Sequence, residues 1–427
     1  MGEQQQGNDK MNKLCITTAI LLGMTVTAAV AEPSVEVMHF WISGGEAAAL
    51  SAVRDKVVSE GVKWTDAPVA GGGGDAAKRA LQARVASGNP PAAMLMLGQN
   101  VIDWANEGLL GNVDALAAAQ GWDAVLPQAV KDFTKIGGHY VSVHTNVHRT
   151  DMIWASKAAF DKNGAPYPTT WDELNALAPK FLAAGIIPLA HGGQSWQEAY
   201  MFEAVALRVG GAEFYRKALV DLDDATLRGP DMVKVFDDLM QLRGMIDKNA
   251  PGRDWNLASA MVINGEAAMQ MMGDWAKGEF TNAGKVSGDD YACIPVPKAN
   301  GKPGFVYLVY SLSLFTQTDP DLIRGQEVLA SAIMNKDVQV AFNKVKGATP
   351  ARTDADMSGL DARAQATAAE LVADDAAGTA VPTFAGTHAA NATIVGAATD
   401  AITGFFNSDM TADARATVLA DAIMAAK

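Results

Sequence analysis

Residues 32–53 read EPSVEVMHFWISGGEAAALSAV. Val35, Val37 and their neighbours alternate up to Phe40 and Trp41, the two-residue period of a strand. The pattern breaks at Gly44-Gly45, and Glu46 opens an alanine-rich stretch with helical spacing. An aromatic residue, two glycines and a carboxylate would thus stand at the carboxyl end of a strand. In open α/β sheets that is where ligands bind.

Working outward, the same alternation recurs. The spacing predicts strands over 34–41, 62–69 and 93–97, and helices over 47–60 and 76–87. The second strand ends in Gly71-Gly72-Gly73-Gly74-Asp75, and the second helix is stopped by Gly88-Asn89-Pro90-Pro91. The third strand is wholly apolar, as suits the middle of a parallel sheet. Repeated strand–helix units imply a doubly wound α/β sheet with right-handed crossovers. Trp41, the glycine run and Gln99 all fall at strand ends.

The character changes after Gly137-Gly138. An extended segment over 140–147 leads to a strand over 151–155. Thr170 and Glu173 stand in capping-box spacing at a helix start. The stretch from about 150 to 300 is mainly helical, with a short strand at 267–272; a strand follows at 305–315, then helices at 361–377 and 412–425. The alternation stops and later resumes, which predicts two lobes built from interleaved segments.

Composition narrows the function. Hydrophobic residues make up 49% of 427, and mean hydropathy is +0.04, enough for a sizeable core. The net charge of -14 argues against a nucleic-acid binder and against adhesion to an anionic membrane. Lys13, the apolar run 16–30 and Ala29-Val30-Ala31 read as a secretory signal peptide, with Met11 the expected start and residues 1–10 an upstream extension. Cleavage after Ala31 would leave Cys293 alone, so packing and not a disulfide must hold the fold.

The residues that could carry chemistry are few. Gly71-x-Gly73-x-x-Ala76 matches a loose dinucleotide fingerprint, but no acidic residue closes the third strand to grip a ribose. Six scattered histidines and one mature cysteine make a poor metal site. No Gly-x-Ser-x-Gly occurs. Carboxylates are plentiful, so a glycoside hydrolase remains the rival reading. Aromatic placement stands out. Trp41 and Trp275 each end a strand-like run beside polar or acidic groups, and an indole face suits the C–H face of a sugar ring.

These features lie among motifs in a telling order: Ala70 to Asp75, Asn146-Val147-His148-Arg149, Pro168 to Glu173, Gly192 to Glu198, Met272 to Glu279 and Lys346 to Arg352. With them the chain resembles the periplasmic solute-binding proteins of carbohydrate ABC transporters, especially the glucose-binding branch. The resemblance covers nearly the whole mature chain. It implies a two-lobed α/β periplasmic-binding-protein fold with three hinge crossings, near 144–148, 305–310 and 350–354. One lobe would take 32–146 and 306–352, the other 147–305 and 353–427. The implied protein is a periplasmic monomer that binds a small-molecule sugar and docks on membrane permease subunits, with no catalytic residue, cofactor, metal or nucleic acid involved.

The resemblance also assigns roles. Trp41 would stack a sugar face, Glu46 would accept from its hydroxyls, and Gly44-Gly45 would keep the turn slim. Trp275, Asp274 and His388 would come from the second lobe, Lys346 from near a hinge, and Gln99 from the end of the third strand. Two positions depart from the glucose-binding pattern. Leu97 stands where relatives place a Lys or His, and Tyr310 where they place an Asp. The changed hydroxyl contacts predict a monosaccharide other than glucose, or glucose bound less tightly.

Overall fold

The computed structural model describes residues 32–71, 74–297, 301–302 and 304–427. The expected signal peptide, and Gly72-Gly73 of the glycine run, lie outside the described residues. In chain order the strands are β1 (Ser34–His39), β2 (Lys63–Pro68), β3 (Ala93–Leu97), β4 (Lys135–Ile136), β5 (His139–Tyr140), β6 (Ser142–Arg149) and β7 (Met152–Ser156). They continue with β8 (Ile187–Ala190), β9 (Ala267–Met271), β10 (Tyr291–Pro295), β11 (Phe305–Leu314), β12 (Thr349–Pro350) and β13 (Ala380–Pro382).

Two main sheets result. The larger runs β12-β6-β11-β3-β1-β2, with β13 also on β11; the smaller runs β10-β7-β9-β8. Two apolar clusters pack these sheets. The first is centred on Val35, Val37, Leu95 and Leu312 and also reaches Trp154, Ala190 and Ala267 of the smaller sheet. The other holds Ile153, Leu189 and Met269 under the helices Ser195–Tyr215, Pro230–Arg243 and Ala392–Phe406. Two sheets with two cores give the two lobes of the fold. Sequence burial follows position: β3 lies between β1 and β11 with its first four residues buried, whereas β2, at the sheet edge, exposes Lys63, Thr65 and Asp66 and ends on Pro68.

The larger sheet is mixed, not doubly wound and parallel as the sequence pattern predicts. β1 pairs in parallel with β2 and β3, but β11 runs antiparallel to β3 and to β6, and β12 antiparallel to β6. The reason is connectivity. β11 arrives after a long helical excursion, so no βαβ crossover ties its direction to that of β3. The stretches expected as hinge crossings at 144–148 and 305–310 lie in β6 and β11, and that at 350–354 begins at Pro350, the last residue of β12; the three strands lie side by side.

The opening motif also differs from expectation. β1 ends at His39, and the helix begins at Gly44, running Gly44–Ser59. Ser43 is its cap: the Ser43 side chain accepts from the Glu46 N–H (3.3 Å), and the Glu46 carboxylate accepts from the Ser43 N–H (3.4 Å). This reciprocal cap draws both glycines into the first helical turn. The capping box at Thr170 and Glu173 forms as its spacing predicts.

Gly45 is small for a different reason than a slim turn. A Cβ there would stand 2.4 Å from the Gly278 carbonyl carbon, so the Gly44–Ser59 helix touches the backbone of the helix Lys277–Asn282. The Gly45 N–H donates to Glu279 (3.1 Å) at the same contact. Replacing Gly45 with Ala is therefore expected to destabilise the protein by about 1–3 kcal/mol through overpacking. Urea unfolding measures it, and an unchanged midpoint would show that the two helices separate at no cost.

Candidate sugar-binding cleft

A cavity of about 50 Å3 lies where the carboxyl ends of β1 and β3 meet the second lobe. Phe40 reaches it from just beyond β1, Leu97 from the last position of β3, and Glu46 from the first turn of the helix Gly44–Ser59. Tyr310 enters from β11 at a register shift: the β6–β11 ladder slips between Val309 and Ser311. The bulge turns Tyr310 toward the cavity. In the β3–β11 ladder Tyr310 sits directly opposite Leu97. The facing wall is Trp196 and Tyr200 from one helix, Trp255 from the start of another, Trp275 from the turn Asp274–Ala276, and Ala385.

Buried charges lie beneath this aromatic lining. Lys346, fully buried at the end of the helix Lys336–Lys346, donates to Glu46 Oε1 (3.1 Å). Its ammonium also lies 5.6 Å from the Trp41 ring centre and 5.8 Å from that of Tyr310. Asp274 is held on both oxygens: His148 Nδ1 bonds one, and the Arg149 N–H donates to the other (2.9 Å). The His148 ring stands edge-on to Trp275 and Tyr310. Burial lowers the pKa of His148, against the pull of Asp274. Burial, then the nearby Glu46 and Asp274 charges, raise that of Tyr310 far above the ordinary phenol value, so it remains a neutral hydroxyl.

Comparison with known proteins places this geometry. The description "Bacterial extracellular solute-binding protein" matches residues 55–322. A "Probable sugar-binding periplasmic protein" of Rhizobium meliloti (strain 1021) is 46% identical over 418 residues, covering 98% of this chain and all of that one. A protein of the same name from Brucella suis biovar 1 (strain 1330) is 44% identical over 410 residues, 96% of each chain. The chain belongs to the bacterial extracellular solute-binding protein family. The expected periplasmic location agrees with these relatives. Among solved structures, the bacterial solute receptor AcbH superposes with a TM-score of 0.75 at 19% identity, covering 91% of this chain and 97% of that one. Maltose-bound MalE3 of T. maritima gives 0.72 at 16% identity, covering 92% and 99%. At such identities the likeness is one of fold.

Within this solute-binding protein, the residues expected at the site divide into two groups. Glu46, Trp275 and Tyr310 line the cavity, and Lys346 and Asp274 lie directly behind them, so five converge. Leu97 lines it too. The other three do not. Trp41 is 1% exposed and is packed between Tyr310 and Phe342, with both ring centres 5.4 Å away. It backs Tyr310 and has no face on the cavity, because the chain turns outward after Phe40. Gln99 begins the helix Gln99–Asn106, where its side chain donates to Asp103 (3.1 Å) and its N–H to the Thr387 carbonyl (2.7 Å). His388 directs both ring nitrogens at backbone, Nδ1 to the Gly386 carbonyl (2.8 Å) and Nε2 to Val309. Burial pushes its pKa down to about 4, so it pins the 383–388 turn to β11 as a neutral ring.

Sequence reasoning missed Phe40, Trp196, Tyr200, Trp255 and Ala385. Trp196 and Tyr200 carried a signal, since aromatics four apart share a helix face. Trp255 is brought in from a distant helix and carried none. Also unforeseen was Glu203, one turn beyond Tyr200 and fully buried. It accepts from Thr150, Thr383 and Tyr215 hydroxyls and from the Phe384 and Ala385 N–H groups, which fixes the turn that carries Ala385.

Two outcomes are expected. Lys346→Met strands the Glu46 carboxylate, and losing one partner of a buried pair costs about 3–5 kcal/mol. Urea unfolding at pH 7 measures it. The double variant Glu46→Gln with Lys346→Met should recover part of the loss, and an unfolding free energy of the single variant within about 1 kcal/mol of the wild type would disprove the pairing. The second concerns Glu203, which burial pushes up from 4.5 to about 7, against the donors around it. The folded state therefore holds this proton more tightly than the unfolded chain, and stability is lost as pH rises through 7. Glu203→Gln removes that dependence. Relative to the wild type, the variant should gain roughly 2–3 kcal/mol between pH 5 and pH 8 in urea titrations; a constant difference refutes the assignment.

Proposed function

We propose that this protein is the sugar-capturing subunit of an ABC importer, and that a glucose-like monosaccharide ring occupies the cavity between its lobes. The observation that carries this reading is an aromatic box over carboxylates already held by partners. Trp196, Trp255, Trp275 and the two tyrosines surround the space, while Glu46 is matched by Lys346 and Asp274 by His148. Such a site offers indole faces for C–H surfaces and polar groups fixed by their partners for hydroxyls. The two relatives called sugar-binding periplasmic proteins support the same class. Both carboxylates are held in place by partners, which favours binding over hydrolysis, where one must act as an acid.

In this reading the lobes comprise 32–146 with 306–352, and 147–305 with 353–427. The adjacent strands β6, β11 and β12 serve as the hinge, and a closed monomer docks on permease subunits. Leu97 and Tyr310, as one cross-strand pair, replace a charged donor and a charged acceptor. They tilt the site away from glucose toward another hexose or pentose. A thermal-shift panel of aldohexoses, pentoses, amino sugars and disaccharides tests the class; no stabilisation by any member sinks it. Trp275→Ala should weaken the preferred sugar by about 1–3 kcal/mol in calorimetry. Undiminished affinity would move Trp275 out of the site.

A further inference from the structure

Trp196 and Trp255 reach the cavity from two different helices, Ser195–Tyr215 and Trp255–Ile263. Gln194 and Asp254 stand at the cap positions just ahead of them. An aspartate at a helix cap ordinarily accepts from the first N–H groups of its own helix. Asp254 makes no such bond, and neither does Gln194. Their side chains bond each other instead: Gln194 Nε2 donates to Asp254 Oδ1 (2.6 Å).

The other end of the same amide is also taken. Gln194 Oε1 accepts from Trp196 Nε1 (3.0 Å) and from Gln197 Nε2 (2.8 Å). An indole N–H only donates and an ionised carboxylate only accepts, so these two partners fix which way the amide faces. The loops beneath are drawn together by backbone. The Gly252 N–H donates to the Gly193 carbonyl (3.3 Å), and the Arg253 guanidinium donates to the His191 carbonyl (2.9 Å). A Cβ at Gly193 would stand 2.2 Å from the Pro251 Cα. Backbone contacts thus bring the two helix starts side by side, and the Gln194 amide ties the Trp196 indole to the residue before Trp255.

We infer that Gln194 is a positioning residue of the cleft: its one amide orients the Trp196 indole and, through Asp254, the start of the helix that carries Trp255, so that the two tryptophans form one wall. This deepens the sugar-binding reading above and rests on it. Isothermal calorimetry with glucose and with galactose reads the effect. Trp196→Phe removes the indole donor but keeps a ring in the wall. Gln194→Ala and Trp196→Phe should each weaken the sugar that binds by about fivefold or more, and the two together no more than the stronger of them. Gln194→Glu keeps an acceptor for Trp196 but sets a second carboxylate against Asp254, so it should also weaken binding. Adding Asp254→Asn supplies a donor to that carboxylate and should restore the affinity to within about twofold. A merely structural role gives additive losses and no rescue. That result, or unchanged affinity in Gln194→Ala, overturns the bracket and leaves the sugar reading standing. A sugar-free measurement keeps the two apart. In NMR spectra of the indole N–H groups, Gln194→Glu should shift the signals of both Trp196 and Trp255, and Asp254→Asn should return that of Trp255. Unmoved signals overturn the bracket whether or not a sugar binds. Signals that move as expected, with neither hexose bound, count against the sugar reading alone.

Discussion

The buried pair between Glu46 and Lys346 is the constraint around which the cleft is arranged. Lys346 has no exposed surface and Glu46 is 8% exposed. Removing either charge from water costs several kcal/mol, and only close pairing offsets that. The pair therefore fixes where the amino end of the helix Gly44–Ser59 meets the carboxyl end of the helix Lys336–Lys346. Each charge also suits its helix end, the carboxylate near an amino terminus and the ammonium near a carboxyl terminus. Because the cation is neutralised from within, the space above it is polar without being ionic. That is why the site suits a neutral, hydroxylated ligand.

Close backbone approach then brings the second lobe onto this platform. Gly45 meets Gly278, and a Cβ at Gly98 would stand 2.3 Å from the Thr387 carbonyl oxygen. Thr387 itself adopts a left-handed conformation, φ 60°, that a branched residue rarely takes. Its turn is held by Glu203 and His388, whose buried polar atoms bind backbone on both flanks. The strain is thus matched by hydrogen bonds from residues with no surface in the cavity. One wall of the site depends on a carboxylate that never faces the ligand.

The two positions that depart from the glucose-binding pattern form a single rung of the larger sheet. Leu97 and Tyr310 face each other across β3 and β11, and the β6–β11 bulge sets the direction of the tyrosine. The bulge is stabilised by His144, whose Nδ1 bonds the Tyr310 carbonyl (2.8 Å). Two positions 213 residues apart in the chain, which read separately as departures from a pattern, are one structural unit (310 − 97 = 213).

Periodicity in the chain was enough for the strand–helix units and the two lobes, and spacing for the capping box at Thr170, because local hydrogen bonding carries that information; Glu46, Asp274, Trp275, Tyr310 and Lys346 were named through the family resemblance of the ordered motifs, and the cap at Ser43 was not foreseen. The direction of β11 was not legible, since antiparallel and parallel pairing leave the same apolar pattern. Nor was the burial of Trp41, which depends on Phe342 and Tyr310, nearly three hundred residues away, arriving on either side of it. Trp196 and Tyr200 share a helix face and Trp255 carries no local signal, and only packing of the second lobe against the first turns the three into a wall. Local propensity specifies the elements, whereas a binding site made from eight separated segments exists only once long-range packing has brought their ends together.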